Sequence, residues 1–270
     1  MRRHFHKMHG LGNDFVILDA RPETGNAPLE ITPALARGIA DRRTGIGCDQ
    51  LILLEPSNNA DLRMRIWNAD GSEVESCGNA TRCVVALTGA NTIETDGGRL
   101  EGSALGGSVE VILGEPRFDW SKIPLAYPMD TARLPLAWGE LEHPAAVNVG
   151  NPHVVFFVDD VDAVDLEHLG PTIENDGAFP EKINVNIASV EDGGLRLRTW
   201  ERGTGLTCAC GTGACATAVA AIDSGRVQSP VQVTMPGGTL EVEWDDGEPI
   251  RMRGAATLVF EGELDLDALL

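Results

Sequence analysis

"ERGTGLTCACGTGACATAVAAI", Glu201 to Ile222, sets Cys208, Cys210 and Cys215 among glycine, threonine and alanine and runs on into an Ala-rich, helix-like segment. A thiol placed where a helix begins meets unpaired N–H groups and about half a positive charge, which lowers its pKa from roughly 8.5. The same helix end binds a carboxylate. A glycine directly after the cysteine lets a ligand approach the backbone closely. Taken alone, a cysteine among small residues is more often buried packing than a catalyst. That is the reading given to Cys48, Cys83, Cys208 and Cys215.

Cys210 is set apart by a second copy of its surroundings. "CGNATRCVVAL" at Cys77 also enters a small-residue helix from Cys-Gly. Before each copy stands Gly-Asn ahead of an apolar run: "GNDFVILD" at Gly12 and "GNPHVVFFVDD" at Gly150. After each stands a Gly-Gly turn with strand residues: "TDGGRLEG" at Gly97 and "MPGGTLEVEW" at Gly237. Each marker alone is an ordinary turn signal. Three in one order at similar intervals indicate a duplicated module.

Between the markers, "RMRIWNADG", "GLRLRTWERG" and "TLEVEWDDG" alternate apolar and polar residues and end in turns, as strands do. "TPALARGIADR" reads as a helix with Thr32 as N-cap and Pro33 at its first position. The expected fold is α+β: two pseudo-symmetric domains from an internal duplication, each a curved, mostly antiparallel sheet or barrel around a central helix. The expected division is 1–116, with 256–270 returning to it, and 117–255, with the active site in the cleft between. "GEPRFDWSKIPLAYP" (Gly114 to Pro128) is the expected crossover. Acid-rich "DDVDAVDLE" and "EGELDLDALL" read as solvated faces.

The net charge of −20, with lysine only at positions 7, 122 and 182, argues against nucleic acid or an anionic membrane as partner. No apolar run is long enough to span a membrane, so a cytoplasmic protein is expected. The six cysteines include no C-x-x-C, and no His pair completes a zinc set, so no metal is expected. No nucleotide fingerprint is present, and three lysines leave few candidates for a pyridoxal-type Schiff base. No cofactor is expected.

Two activated thiols facing one carbon suit stereochemical inversion. One, as thiolate, removes a proton from one face; the other, as thiol, returns a proton on the opposite face. A carboxylate held by both helix ends is stabilised as the α-carbon becomes carbanion-like.

At this point "MHGLGNDF", "GIGCDQ", "IWNADGSEVESCGNATRC", "GNPH" and "ERGTGLTCACGTGAC" resemble, motif by motif and in order from Met8 to about Gly262, the diaminopimelate epimerase family. The resemblance implies a cofactor-independent epimerase interconverting LL- and meso-2,6-diaminopimelate, on two pseudo-symmetric domains. It implies Cys77 and Cys210 as catalytic acid/base cysteines, and Gly78, Asn79, Gly211 and Thr212 as helix-start residues binding the reacting carboxylate. It further implies Asn13, Gln50, Asn68, Asn151 and Asn184 as polar substrate contacts, and Glu201 and Arg202 as partners for ammonium and carboxylate. His153 is implied as a supporting proton or orientation partner. Leu206 departs from the family pattern, which has glutamate there. The partner is a small amino acid, and a homodimer is left open. Two alternatives stand beside this: a racemase of another amino acid on the same fold, and a non-catalytic thiol or metal-binding protein. His4, His6, His9, His143 and His168 read as surface or core histidines.

Overall fold

The computed structural model describes residues 2–25, 27–75 and 77–269. The chain forms two compact units, Met1–Val111 with Gly254–Leu270, and Ile112–Arg253.

The first unit begins with β1 (Arg2–Gly10), β2 (Asn13–Asp19), α1 (Pro33–Ala40), β3 (Gln50–Glu55) and β4 (Leu62–Asn68). The short β5 (Glu73–Val74) leads to α2 (Gly78–Thr88), β6 (Thr92–Thr95), β7 (Gly98–Leu105) and β8 (Ser108–Ile112). A closing strand, Thr257–Asp265, returns to pair antiparallel with β1. β1–β2, β3–β4, β4–β5 and β6–β7 are antiparallel, whereas β2–β3 and β4–β6 are parallel. The centres of β2 (Phe15 to Leu18) and β3 (Leu51 to Leu54) are apolar and buried. Val16, Leu18, Leu51 and Leu53 pack with Leu35, Ala36 and Ile39 of α1, and the alternate residues Phe15, Ile17, Ile52 and Leu54 point to the other face. α2 touches β1 and β7, strands far apart in the sheet order, so the sheet curls around it. As expected, Thr32 caps α1: its Oγ1 accepts from Leu35 N at 3.2 Å.

The second unit carries β9 (Ala137–Trp138), β10 (Leu141–Glu142), β11 (Ala145–Asn148), β12 (Pro152–Phe157), α3 (Leu166–Glu174) and β13 (Asn184–Glu191). β14 (Gly194–Glu201), β15 (Gly205–Thr207), α4 (Gly211–Asp223), β16 (Val231–Met235), β17 (Gly238–Glu243) and β18 (Arg251–Gly254) complete it. β11–β12, β13–β14, β14–β15 and β16–β17 are antiparallel; β12–β13 and β14–β16 are parallel. This repeats the first unit pair for pair. α4 is buried on almost every side and touches β11 to β14, β16 and β17. Its alanines and glycines let the strands close around it. The fold is thus the two-fold repeat of curved sheets around central helices that the markers indicate.

Two local readings are extended. Gly114–Pro128, expected as the crossover between halves, also contributes Ile123 and Leu125 to the core of the second unit. "DDVDAVDLE" is not merely solvated: Asp160 and Asp165 cap a short 3-10 turn and α3, their side chains accepting from Asp162 N at 2.9 Å and His168 N at 3.1 Å. Among the described residues, no helix is long and apolar enough to cross a membrane.

Candidate active site

The repeat gives each unit the same four stations. An asparagine stands at or just before the second strand (Asn13, Asn151), and an amide residue opens the third (Gln50, Asn184). A polar residue ends the fourth (Asn68, Glu201). A cysteine precedes the central helix (Cys77, Cys210).

In the first unit Cys77 is the N-cap of α2, with extended backbone, and Gly78 is the helix's first residue. Its sulfur lies 4.0 Å from Asn13 Oδ1. That oxygen also accepts from Asn79 Nδ2 at 3.2 Å. Asn79 is held in turn by the fully buried Arg82, whose Nη2 donates to Asn79 Oδ1 at 2.9 Å. Asn13 Nδ2 donates to Asp49 Oδ2 at 3.0 Å. Asp49 shares Arg42 with Asp14, and Lys7 donates to Asp14 at 2.6 Å. Burial would raise the Asp14 carboxyl, but hydrogen bonds from Arg42 and Lys7 hold it well below the usual carboxylate range. This charged cluster fixes the base of the Asn13 strand. Gln50 Nε2 donates to Asn68 Oδ1 at 3.0 Å, and Asn68 Nδ2 donates to Ser72 Oγ at 3.2 Å. Gln50 Oε1 is buried without a protein hydrogen-bond partner among the described residues.

In the second unit Cys210 is the N-cap of α4 and only 3% exposed. Its sulfur accepts from Gly213 N at 3.3 Å and lies 3.5 Å from Thr212 Oγ1. The sequence suggests a depressed pKa here, and the structure reverses that. Burial pushes the Cys210 thiol well above its ordinary value and the Glu201 carboxylate adds to the rise, outweighing Thr212 and the Gly213 N–H. A helix end cannot offset full desolvation of a thiolate beside a carboxylate. Cys210 is therefore a protonated thiol at neutral pH. Glu201 Oε1 accepts from Thr207 Oγ1 at 2.6 Å.

His153 lies fully buried on β12. Its Nε2 is 2.8 Å from Asn151 Oδ1 and its Nδ1 is 3.0 Å from Asn186 Nδ2. Asn184 is committed within the unit: Nδ2 donates to Pro152 O at 2.8 Å, and Oδ1 accepts from Arg202 N at 2.9 Å. It sets the Glu201–Arg202 backbone. Arg202 Nη1 donates to Glu181 O at 3.0 Å.

The family description of diaminopimelate epimerase matches residues 5–118 and 145–259. The chain belongs to the diaminopimelate epimerase family. It is 65% identical to the diaminopimelate epimerase of Rhizorhabdus wittichii over 270 residues, covering 99% of this chain and 97% of the relative. It is 55% identical to that of Zymomonas mobilis over 264 residues, covering 97% of each. Among solved structures, a PhzF-family phenazine biosynthesis protein of Bacillus anthracis shares the fold with a TM-score of 0.68 at 18% identity, covering 98% and 99% of the two chains. A hydroxyproline epimerase of Agrobacterium vitis does so with a TM-score of 0.64 at 17% identity, covering 97% and 92%.

Two polar residues of this diaminopimelate epimerase family member escape sequence reading. Asn186 stands between His153 and Thr199. Glu174, buried at the end of α3, accepts from Trp200 Nε1 at 2.8 Å and Gly203 N at 2.9 Å, with Lys182 at 3.6 Å. It clasps both sides of the Glu201–Arg202 turn. An acid three residues after a proline in a polar stretch carries no such signal. Cys208, read as packing, is exposed, as is Leu206. Cys48 and Cys83 are buried, and burial pushes their thiols to about 11 and about 12. That fits inert packing.

Glu174→Gln is expected to destabilise the protein by about 1–3 kcal/mol, because one amide oxygen replaces two acceptors and leaves a buried donor unpaired. Burial would raise the Glu174 carboxyl, but Trp200, Gly203 and Lys182 bring it below its ordinary value. Its contribution is therefore present above the unfolded value of about 4.3 and fades as pH falls through the folded value. Urea midpoints at pH 7 and pH 4 check this. The variant should be weaker at pH 7, with the gap narrowing in acid.

Proposed function

We propose that this chain interconverts LL-2,6-diaminopimelate and meso-2,6-diaminopimelate without a cofactor, supplying a precursor of lysine, of cell wall, or of both. In this reading Cys77 and Cys210 serve opposite faces of one α-carbon. The cysteine present as thiolate takes the α-proton and becomes a thiol. The other gives its proton to the opposite face and becomes a thiolate, so charge and protons balance. The observation that carries the reading is the recurrence of a cysteine at the N-cap of the central helix in both repeats of a diaminopimelate epimerase family chain.

The state of Cys210 supports a division of labour. Its buried thiol is a proton donor, and the Glu201 carboxylate beside it helps keep it protonated; after turnover Cys210 must regain a proton and Cys77 lose one before the same direction runs again. In this reading the backbone N–H groups at Gly78, Asn79, Gly211 and Thr212 bind the reacting carboxylate and stabilise its developing charge. Arg202 suits a second carboxylate through bidentate pairing. Gln50 Oε1 suits an ammonium.

The test is incubation with LL-diaminopimelate in deuterated water. Deuterium should enter the α-position, and meso product should accumulate. Histidine and proline, run in parallel, should take up none. Exchange with proline alone would replace this reading by a racemase on the same fold.

A further inference from the structure

One backbone carbonyl fixes a chain of proton positions beneath the start of α4. Val154 O can only accept, so the Asn186 side-chain atom 3.0 Å away is Nδ2. Thr199 Oγ1 donates to Asn186 Oδ1 at 3.0 Å, which agrees. The second proton of Asn186 Nδ2 then points to His153 Nδ1, also 3.0 Å away, so Nδ1 is unprotonated. Burial pushes the His153 pKa down to about 3, with Arg202 adding to the effect. The ring is neutral and carries its one proton on Nε2. That proton is donated across 2.8 Å to Asn151, so the atom of Asn151 facing it is Oδ1. The Asn151 NH2 group is left with no protein acceptor among the described residues.

We infer that Asn186 is a positioning residue that holds His153 as the Nε2–H tautomer and thereby turns Asn151 to present its NH2, rather than its carbonyl, to the substrate. Asn151 then recognises a hydrogen-bond acceptor, a carboxylate oxygen of the amino acid, and repels an ammonium. His153 moves no proton in this arrangement, because both ring nitrogens are engaged. The substrate side rests on the reading of Asn151 as a substrate contact; the tautomer does not.

The experiment uses the full chain labelled with 15N-histidine, with His153 assigned by the signals lost in His153→Gln. At neutral pH the spectrum should show an unprotonated Nδ1 and a protonated Nε2. The reverse tautomer, or a doubly protonated ring, would overturn the inference.

In Asn186→Asp the carboxylate only accepts, so the proton should move to Nδ1. Asn151 then turns its NH2 to the bare Nε2. KM for LL-diaminopimelate should rise about tenfold or more, the effect of one misdirected hydrogen bond, with a smaller change in kcat. Asn186→Leu should give a mixture of tautomers and an intermediate KM. Retention of the Nε2–H form and of wild-type KM in both variants would refute the positioning role. If a variant fails to fold, the wild-type spectrum still decides. A wild-type protein with the Nε2–H tautomer but no exchange of diaminopimelate would sink the substrate reading and leave the positioning role standing.

Discussion

Replacing either Cys77 or Cys210 by alanine should lower epimerisation by about 10²–10⁴-fold, the usual worth of a positioned acid or base. The two losses should not add, because inversion needs both a proton acceptor and a proton donor and fails when either is missing. The variants should still differ in one respect. With Cys210→Ala, the remaining sulfur can remove and return the proton on its own face, so exchange of α-deuterium without inversion should outlast epimerisation. Cys208→Ala should stay close to wild type, since Cys208 is exposed whereas Cys210 is enclosed beside Glu201. Chiral chromatography and deuterium content, measured on the same samples, separate these outcomes. A Cys208→Ala protein without activity beside an active Cys210→Ala protein would move the catalytic position by two residues.

Gly213→Ala should be the most damaging single methyl in the site. A Cβ at that position would lie 2.7 Å from Asn186 Oδ1, 3.0 Å from Thr199 Oγ1 and 3.2 Å from Cys210 Cβ. None of these is the loose end of a flexible side chain. Asn186 is pinned by Val154 O and Thr199. The helix start must therefore move, breaking the 3.3 Å bond from Gly213 N to Cys210 Sγ. Overpacking of this kind costs about 1–3 kcal/mol. Displacing the thiol by even 1 Å costs about a hundredfold in rate. Thermal unfolding and turnover should fall together, whereas Gly114→Ala, with open space around its Cβ, should leave turnover unchanged. A Gly213→Ala enzyme of normal activity would show that the packing at the start of α4 does not set the sulfur.

What could be read from the sequence is what the backbone demands locally. Gly12, Gly98, Gly150 and Gly238 all have positive φ, a conformation that side-chain-bearing residues resist, so the markers of the repeat are written as glycines. Cys77 and Cys210 are legible for a related reason, since each caps a helix start that leaves its trace in the small residues that follow. The protonation of Cys210 is not local. It comes from burial by strands distant in sequence and from a carboxylate on β14. Asn186 and Glu174 act on partners 33 and 26 residues away, across strands and a helix. Neither belongs to a turn or cap with a signature. α3 carries no clear helix signature in the sequence, because Gly170 and Pro171 look like a break. The structure keeps them inside the helix, with the bare Gly170 backbone lying against the Trp200 indole.

The strand that closes the first sheet comes last in chain order among the described strands. β1 pairs with Thr257–Asp265 from Arg2↔Asp265 to His9↔Thr257, so the first unit waits for a strand made after the whole of the second. The second sheet draws on one continuous stretch, Ile112–Arg253, and can finish earlier. During synthesis β1 therefore carries an open edge, the kind of surface that pairs with other chains. A message truncated after Arg253 would yield a whole second module beside a first one unsealed along β1.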